Sequence, residues 1–155
     1  MSLKEYRKKR NFSKTQEPGE SKQKRKSAKL VYVIQKHDAS HLHFDLRLEE
    51  EGVLKSWAIP KSPPQEEGIR RLAVQTEDHP LGYADFEGII PEGQYGAGKV
   101  ATWDKGDYLP LEVTSFKRII EINGKKLSGK FCLIKLKAKE PQDKNWLFFK
   151  LKKKD

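Results

Sequence analysis

Between Gln35 and Leu48 the chain reads Gln-Lys-His-Asp-Ala-Ser-His-Leu-His-Phe-Asp-Leu-Arg-Leu, and from His41 onward polar and apolar residues alternate without a break. A two-residue period marks a β-strand, whose successive side chains point to opposite faces. His41, His43, Asp45 and Arg47 then share one face, and Leu42, Phe44, Leu46 and Leu48 share the other. The apolar face needs a packed sheet behind it. The polar face carries an imidazole and a carboxylate about 7 Å apart along the strand, near enough for both side chains to reach one cation. His37, in a turn ahead of the strand, can supply a third ligand. Neutral imidazole with carboxylate suits Mn, Fe, Zn or Ni better than Mg or Ca. Arg47, one step further on, can hold a phosphate or carboxylate in a fork of two hydrogen bonds. A solvated polar strand face is the plain alternative; three of the four histidines falling within seven residues argue against it.

The remaining periodic segments are short and rich in β-branched and aromatic residues, which predicts strands. They cover Leu30–Gln35, Ser40–Glu49, Val53–Ile59, Arg71–Thr76, Lys99–Asp104, Phe116–Ile122, Lys130–Lys137 and Trp146–Lys152. Glu50-Glu51-Gly52 reads as a hairpin turn with glycine where a positive φ is needed. Pro60, Pro63 and Pro64 interrupt the sheet. Glu77–Gly98 is expected to be a long irregular loop, and loops of that length in compact domains are usually functional. Near Leu3–Lys9 a short helix is expected, followed by an extended arm. With no long helical period, the fold class is mainly β: a small closed or partly closed antiparallel barrel. The expected division is a basic arm, residues 1–29, that contributes to the site, and a barrel over residues 30–155.

Charge sharpens the functional reading. Of the formal +10, residues 1–30 hold 11 Lys/Arg against 3 Asp/Glu and residues 135–155 hold 8 against 3, while the centre is mildly acidic. Basic ends around such a centre suit a polyanion gripped at its backbone, with a metal offsetting negative charge at the site. The run Lys22-Gln-Lys-Arg-Lys26 also fits a nuclear signal or a solubilising tail. Mean hydropathy is −0.83, and no segment approaches the roughly 20 apolar residues of a membrane span. Neither is there a signal-peptide core, so a reducing cytoplasm is expected. Cys132, alone, can form no internal disulfide.

Two motif readings compete. Gly93-Gln-Tyr-Gly-Ala-Gly98-Lys99 begins like a phosphate-binding P-loop, but Val100 stands where Ser or Thr should hold Mg²⁺ and a strand follows instead of a helix. It reads better as a turn lining the site. His43-x-Asp45 with a distal His79 resembles the two-histidine, one-carboxylate triad of non-haem iron oxygenases. A non-catalytic basic nucleic-acid-binding module is the third class. Lys61, Arg70 and Arg71 fit a phosphate-rich substrate better than a 2-oxo acid, and Tyr83 could donate a hydrogen bond to a phosphate oxygen.

Longer stretches carry a family resemblance: Gln-Lys-His-Asp-Ala-Ser…His-Phe-Asp-Leu-Arg-Leu-Glu, Gly-Val-Leu-Lys-Ser-Trp-Ala-Ile-Pro-Lys, Glu-Asp-His-Pro-Leu…Tyr-Ala-Asp-Phe-Glu-Gly and Ile-Pro-Glu-Gly-Gln-Tyr-Gly-Ala-Gly. From about Tyr6 to the last strands the chain resembles the 3′-phosphoesterase domain of bacterial and archaeal DNA ligase D, in stand-alone form. The resemblance implies a Mn²⁺-dependent hydrolase, with other divalent transition metals as substitutes, that heals DNA 3′ ends carrying a ribonucleotide or a phosphate. It implies primer-template DNA ends as the substrate and a separate DNA ligase as the partner that seals them. His37, His43 and Asp45 match the family's metal ligands. Arg47, His79 and Tyr83 match residues around the scissile phosphate, and Gln35, Lys61 and Arg71 match supporting polar positions. Arg10 and Glu17 match residues that serve removal of the terminal ribonucleoside. Two departures stand out: Asn11 replaces the family's usual Asp, and His41 stands where arginine is common. The implied chemistry has His79 as general acid or as a phosphate-binding imidazolium, because its unperturbed pKa lies near working pH, and water as the nucleophile.

Overall fold

The computed structural model describes residues 3–18 and 29–153. The basic run Lys22–Lys26 and the last two residues, on which part of the charge pattern rests, lie outside the described residues. Helix α1 covers Lys4–Lys8. The strands are β1 (Leu30–Asp38), β2 (Leu42–Glu50), β3 (Val53–Ile59), β4 (Arg70–Pro80), β5 (Gly88–Ile90), β6 (Gly98–Thr114), β7 (Lys117–Asn123), β8 (Ser128–Lys135) and β9 (Asn145–Lys150), with a 3₁₀ helix over Leu81–Asp85. Eight of them, in the order β1-β2-β3-β4-β9-β8-β7-β6, form an antiparallel barrel closed by the pairing of β1 with β6. The ninth, β5, pairs with Gly98–Val100 at the start of β6.

Alternation decides which wall each residue faces. Tyr32, Ile34, Phe44, Leu46, Leu48, Trp57 and Ile59 point inward and join Ile120, Phe131, Leu133, Trp146 and Phe148 in one core drawn from all sides of the barrel. Trp57 and Trp146 meet edge to face at 5.6 Å between ring centroids. Each buried aliphatic or phenyl side chain of such a core contributes about 1.5–3 kcal/mol relative to exposure. A lumen packed in this way leaves the outer wall for chemistry. On that outer wall, over β1 and β3, a second cluster holds Val33, Val53 and Leu54 against Leu3 and Tyr6 of the N-terminal arm and Tyr83, Ala84 and Phe86 around the 3₁₀ helix.

The β2–β3 turn is as expected: Glu51 and Gly52 both have positive φ, 51° and 83°, the pattern of a two-residue hairpin turn whose twist matches the strands. Three expectations change. β1 continues to Asp38, so His37 sits on a strand directly opposite His43 and not in a turn. β4 continues to Pro80, which makes Glu77–Pro80 part of the sheet and breaks the supposed long loop into strand, 3₁₀ helix and β5. β6 runs for 17 residues rather than six, pairing in succession with β5, β1 and β7. Gly106 permits the crossing, because a Cβ there would lie 1.9 Å from the Asn123 carbonyl oxygen. Its Gly106, Pro110 and scattered charges hide the strand period.

Candidate active site

Register brings the polar residues together. β1 and β2 pair His37 with His43 and Gln35 with Asp45, and β2 and β3 pair Asp45 with Ala58 and Arg47 with Ser56. Between β3 and β4 the register slips: Leu54 faces His79 while Ser56 faces Thr76, so β4 carries one extra residue. Such a bulge re-aims side chains, and here Thr76, Glu77 and His79 all line one cavity. That cavity, of about 260 Å³, is also lined by Arg10, His37, His43, Asp45, Arg47, Tyr83, Tyr95 and Gly96.

At its open side His37, His43 and Asp45 each direct a ligating atom to one place, all within 4.8 Å of one another. His37 Nε2 lies 2.6 Å from the Gly96 carbonyl oxygen and His43 Nδ1 lies 3.1 Å from that of His41. A carbonyl only accepts, so each ring keeps its proton on the outer nitrogen. The inner nitrogens, His37 Nδ1 and His43 Nε2, face the Asp45 carboxylate at 3.5 and 3.3 Å. Burial alone would raise the Asp45 carboxyl, but Arg47 and the two histidines hold it well below the usual carboxylate range. Burial lowers His43 while the Asp45 hydrogen bond and charge raise it, and the net shift is upward. Two imidazoles with lone pairs turned inward by backbone acceptors, plus an ionised carboxylate, make a donor set that fits a divalent transition metal. The third member of the cluster is thus His37; His79, the distal histidine of the oxygenase-like reading, has both ring nitrogens engaged elsewhere.

Below the cluster Arg47 is buried and held on every side. Its Nε donates to Gln35 Oε1 at 2.7 Å and its Nη1 to Ser56 Oγ at 2.8 Å. Nη2 lies 3.5 Å from Asp45 Oδ2, and the guanidinium lies 4.7 Å from the Tyr83 ring centroid. One N–H on each terminal nitrogen has no partner among these contacts. Gln35 in turn donates to the carbonyls of Tyr83 and Phe86, which couples Arg47 to the 3₁₀ helix. His79 Nδ1 donates to the Glu77 carbonyl at 2.9 Å, and Nε2 accepts from Arg10 Nη2 at 3.2 Å. Burial first, then the guanidinium groups of Arg47 and Arg10, hold His79 far below its ordinary value. The ring is neutral in the substrate-free state. An unperturbed pKa near neutrality, the basis for the expected acid role, is therefore not what the fold provides.

The N-terminal arm closes the site. Tyr6 is fully buried, packs edge-on against His79 at 4.9 Å and supports the Arg10 guanidinium 4.0 Å from its ring centroid. Arg10 bonds Glu17 at 2.8 Å and Glu77 at 3.3 Å, and Tyr83 donates its hydroxyl to Glu17 at 2.7 Å. That hydroxyl, expected as a donor to phosphate, is already committed to Glu17. Burial, the first cause, pushes the Tyr83 hydroxyl up and keeps it protonated.

Two expected residues stand apart. Lys61 is exposed beyond the end of β3, and Arg71 donates to the Ser62 carbonyl at 2.7 Å. Neither lines the cavity, because Arg71 shares the inward face of Ala73 and Pro60 ends the strand before Lys61. His41 is exposed outside β2, offering only its carbonyl, and Asn11 is exposed with its side chain bonded to Ser13. Sequence reasoning missed Glu77 and Ser56. The signal for Glu77 was a β4 bulge that no local pattern announces, whereas Ser56 follows from the β2–β3 hairpin register that sets it opposite Arg47. Tyr95 and Gly96 were signalled only as part of the glycine-rich turn, which does line the site and leads into a strand, not a P-loop helix.

Comparison with known proteins bears on the same residues. A profile of the DNA Ligase D 3′-phosphoesterase domain matches residues 35–135. Over 97% of its length the chain is 47% identical to the multifunctional non-homologous end joining protein LigD of Pseudomonas aeruginosa, covering 18% of that protein. It is 42% identical to the protein of the same name from Mycobacterium bovis, covering 20% of it, and 41% identical over 95% of the chain to that of Mycolicibacterium smegmatis, again 20% of the relative. The chain thus spans about a fifth of the length of these relatives. Among the described residues no helix is long and apolar enough to cross a membrane. With the profile covering most of the barrel and the identities running nearly end to end, this chain belongs to the DNA ligase D 3′-phosphoesterase domain family.

Proposed function

We propose that the chain is a metal-dependent DNA 3′-end phosphoesterase that removes 3′-terminal ribonucleosides and 3′-phosphates and leaves a 3′-hydroxyl for repair. The observation that carries this reading is the placement of the His37, His43 and Asp45 donor atoms within 4.8 Å of one another, at the mouth of a cavity floored by Arg47 and His79. Those three residues would hold the ion, and Mn²⁺ is the ion assigned. Nitrogen and oxygen donors without thiolate suit it. A bound ion would supply Lewis-acid polarisation of a phosphate oxygen.

The chain's own residues account for the rest. Arg47, immobilised by Gln35, Ser56 and Asp45, turns its remaining N–H groups to the phosphate as a fixed source of positive charge, which costs no reorganisation during reaction. Neutral His79 cannot give a proton before substrate arrives; an anionic phosphate beside it raises its proton affinity, so the ring gains a proton with substrate and can return it to the leaving oxygen. Ser56 accepts from Arg47 and donates to the Leu54 carbonyl, which leaves water as the nucleophile. Arg10 and Glu17 set the described part of the arm, residues 3–18, beside the terminal ribose, and the arm of residues 1–29 serves as a functional part of the 30–155 barrel. Lys61 and Arg71 lie outside the cavity and act on more distant parts of the DNA. The partners are DNA 3′ ends and a DNA ligase activity that seals them, in the cytoplasm.

The test is product analysis on a labelled primer-template ending in one ribonucleotide. With Mn²⁺ the strand should lose the ribonucleoside, then the exposed phosphate, and become extendable by a polymerase. A strand that stays intact with Mn²⁺ but binds equally well after chelation would favour the non-catalytic nucleic-acid-binding reading.

A further inference from the structure

Among the described residues lining the cavity, Tyr95 alone is exposed, with 47% of its surface open to solvent. The charged and imidazole groups form the floor, and this one phenol stands at the rim. It is not loosely placed. Tyr95 lies in the glycine-rich turn between Gly93 and Gly96, both at positive φ, and the next carbonyl along, that of Gly96, receives the His37 Nε2 proton at 2.6 Å. The backbone carrying the ring is therefore tied directly to the metal cluster. Lys9 from the arm donates to the Tyr95 hydroxyl at 3.3 Å and to Glu77 at 3.4 Å, and its ammonium lies 4.7 Å from the ring centroid. Arg10 lies 5.3 Å from the same centroid. An aromatic face held at the mouth of a cavity of about 260 Å³, bordered by cations, is what a nucleobase needs in order to stack while its phosphate enters below.

We infer that Tyr95 is the stacking platform for the base adjoining the scissile phosphate, a positioning residue that orders the DNA end over the cavity. The inference rests on the phosphoesterase reading for the identity of the ligand. Because every base has a π-face, the platform takes any of the four bases, and end healing at this site is indifferent to terminal sequence. Lys9 holds the ring by its hydroxyl and its face, and Phe retains all but the hydroxyl contact.

The experiment measures equilibrium binding of the metal-free protein to two short strands ending in a 3′-phosphate, one with a normal terminal base and one with an abasic terminal nucleotide. Wild type should bind the base-bearing strand about tenfold more tightly, the lower part of the range for stacking on one aromatic side chain. Tyr95→Ala should bind both strands equally, at the wild-type affinity for the abasic one, and Tyr95→Phe should keep the preference. A Tyr95→Ala protein that still prefers the base-bearing strand overturns the inference, as does a wild type without any preference. Hydrolysis of the same strands with Mn²⁺ is scored separately. A Tyr95-dependent preference without hydrolysis supports the platform while removing the phosphoesterase reading, and hydrolysis without the preference does the reverse.

Discussion

Arg47→Lys isolates what geometry adds to charge at the centre of the cavity. Arginine donates N–H groups to Gln35 Oε1 at 2.7 Å and Ser56 Oγ at 2.8 Å and pairs its charge with Asp45 Oδ2 at 3.5 Å, and still has N–H groups on both terminal nitrogens for a phosphate. A lysine ammonium has three donors on one atom and cannot serve both the wall and the substrate. Losing one or two charge-assisted bonds to the phosphate, at about 1.5–3 kcal/mol each, lowers kcat/KM by roughly 10²–10³ at 1.4 kcal/mol per factor of ten. Stability falls as well, because Gln35 Oε1 is buried and loses its donor, at a cost of about 1–3 kcal/mol. In a domain of this size that is a fall in Tm of a few degrees. The assay is Mn²⁺-dependent release of phosphate from a 3′-phosphate strand, with thermal denaturation of the metal-free protein alongside. A folded Arg47→Lys protein with wild-type kcat/KM would refute the assignment of Arg47 as the phosphate clamp.

Four further outcomes are expected. His43→Ala should abolish the thermal shift that Mn²⁺ produces while leaving the metal-free protein folded, since the side chain is 25% exposed and its loss opens no core cavity; an undiminished shift would place the metal elsewhere. His43 is raised above its ordinary value by Asp45, so in the metal-free protein its protonated form adds stability that is complete below about pH 6.5 and fades as pH rises through the raised value. A metal needs the neutral ring, so the Mn²⁺ shift should grow over the same rise, and a pH-independent shift between pH 5 and 8 would contradict this. Deleting residues 1–20 should impair both ribonucleoside and phosphate removal, because it uncovers His79 and Tyr83 as well as removing Arg10; selective loss of the ribonucleoside step would mean that Tyr6 packing is dispensable. Gly106→Ala should lower Tm sharply by forcing β6 away from β7, where the new Cβ would meet the Asn123 carbonyl oxygen, and an unchanged Tm would show that the strand crossing has room to spare.

The barrel and much of the site were legible in the sequence because they depend on period and local chemistry. His43, Asp45 and Arg47 on one face, and the Glu51-Gly52 turn, follow from alternation and from the need for positive φ, and the pairing of β1 with β2 then adds His37 and Gln35. What stayed hidden depends on register between distant segments. The bulge that turns Glu77 and His79 into one cavity is set by where β4 pairs with β3. The neutrality of His79 comes from burial beneath Tyr6 and from two guanidinium groups supplied by β2 and the arm. The placement of Arg71 on the inward face could have been read from its spacing to Ala73 within the expected strand Arg71–Thr76, once Ala73 is known to point into the core. β6 was cut short because Gly106 and Pro110 resemble strand breakers and serve instead at a crossing and beside a bulge.

The most direct test of metal-dependent phosphoester hydrolysis at the His37, His43 and Asp45 cluster is a single-turnover titration. Chelated protein, free of metal, is mixed with a 3′-phosphate strand, and phosphate release is followed as Mn²⁺ is added, for wild type and for His43→Ala. Wild type should be inactive without metal and reach full rate near one equivalent of Mn²⁺, and the variant should stay inactive throughout. Turnover by the chelated wild type, or an unchanged titration in the folded variant, would contradict a catalytic metal held by these three residues.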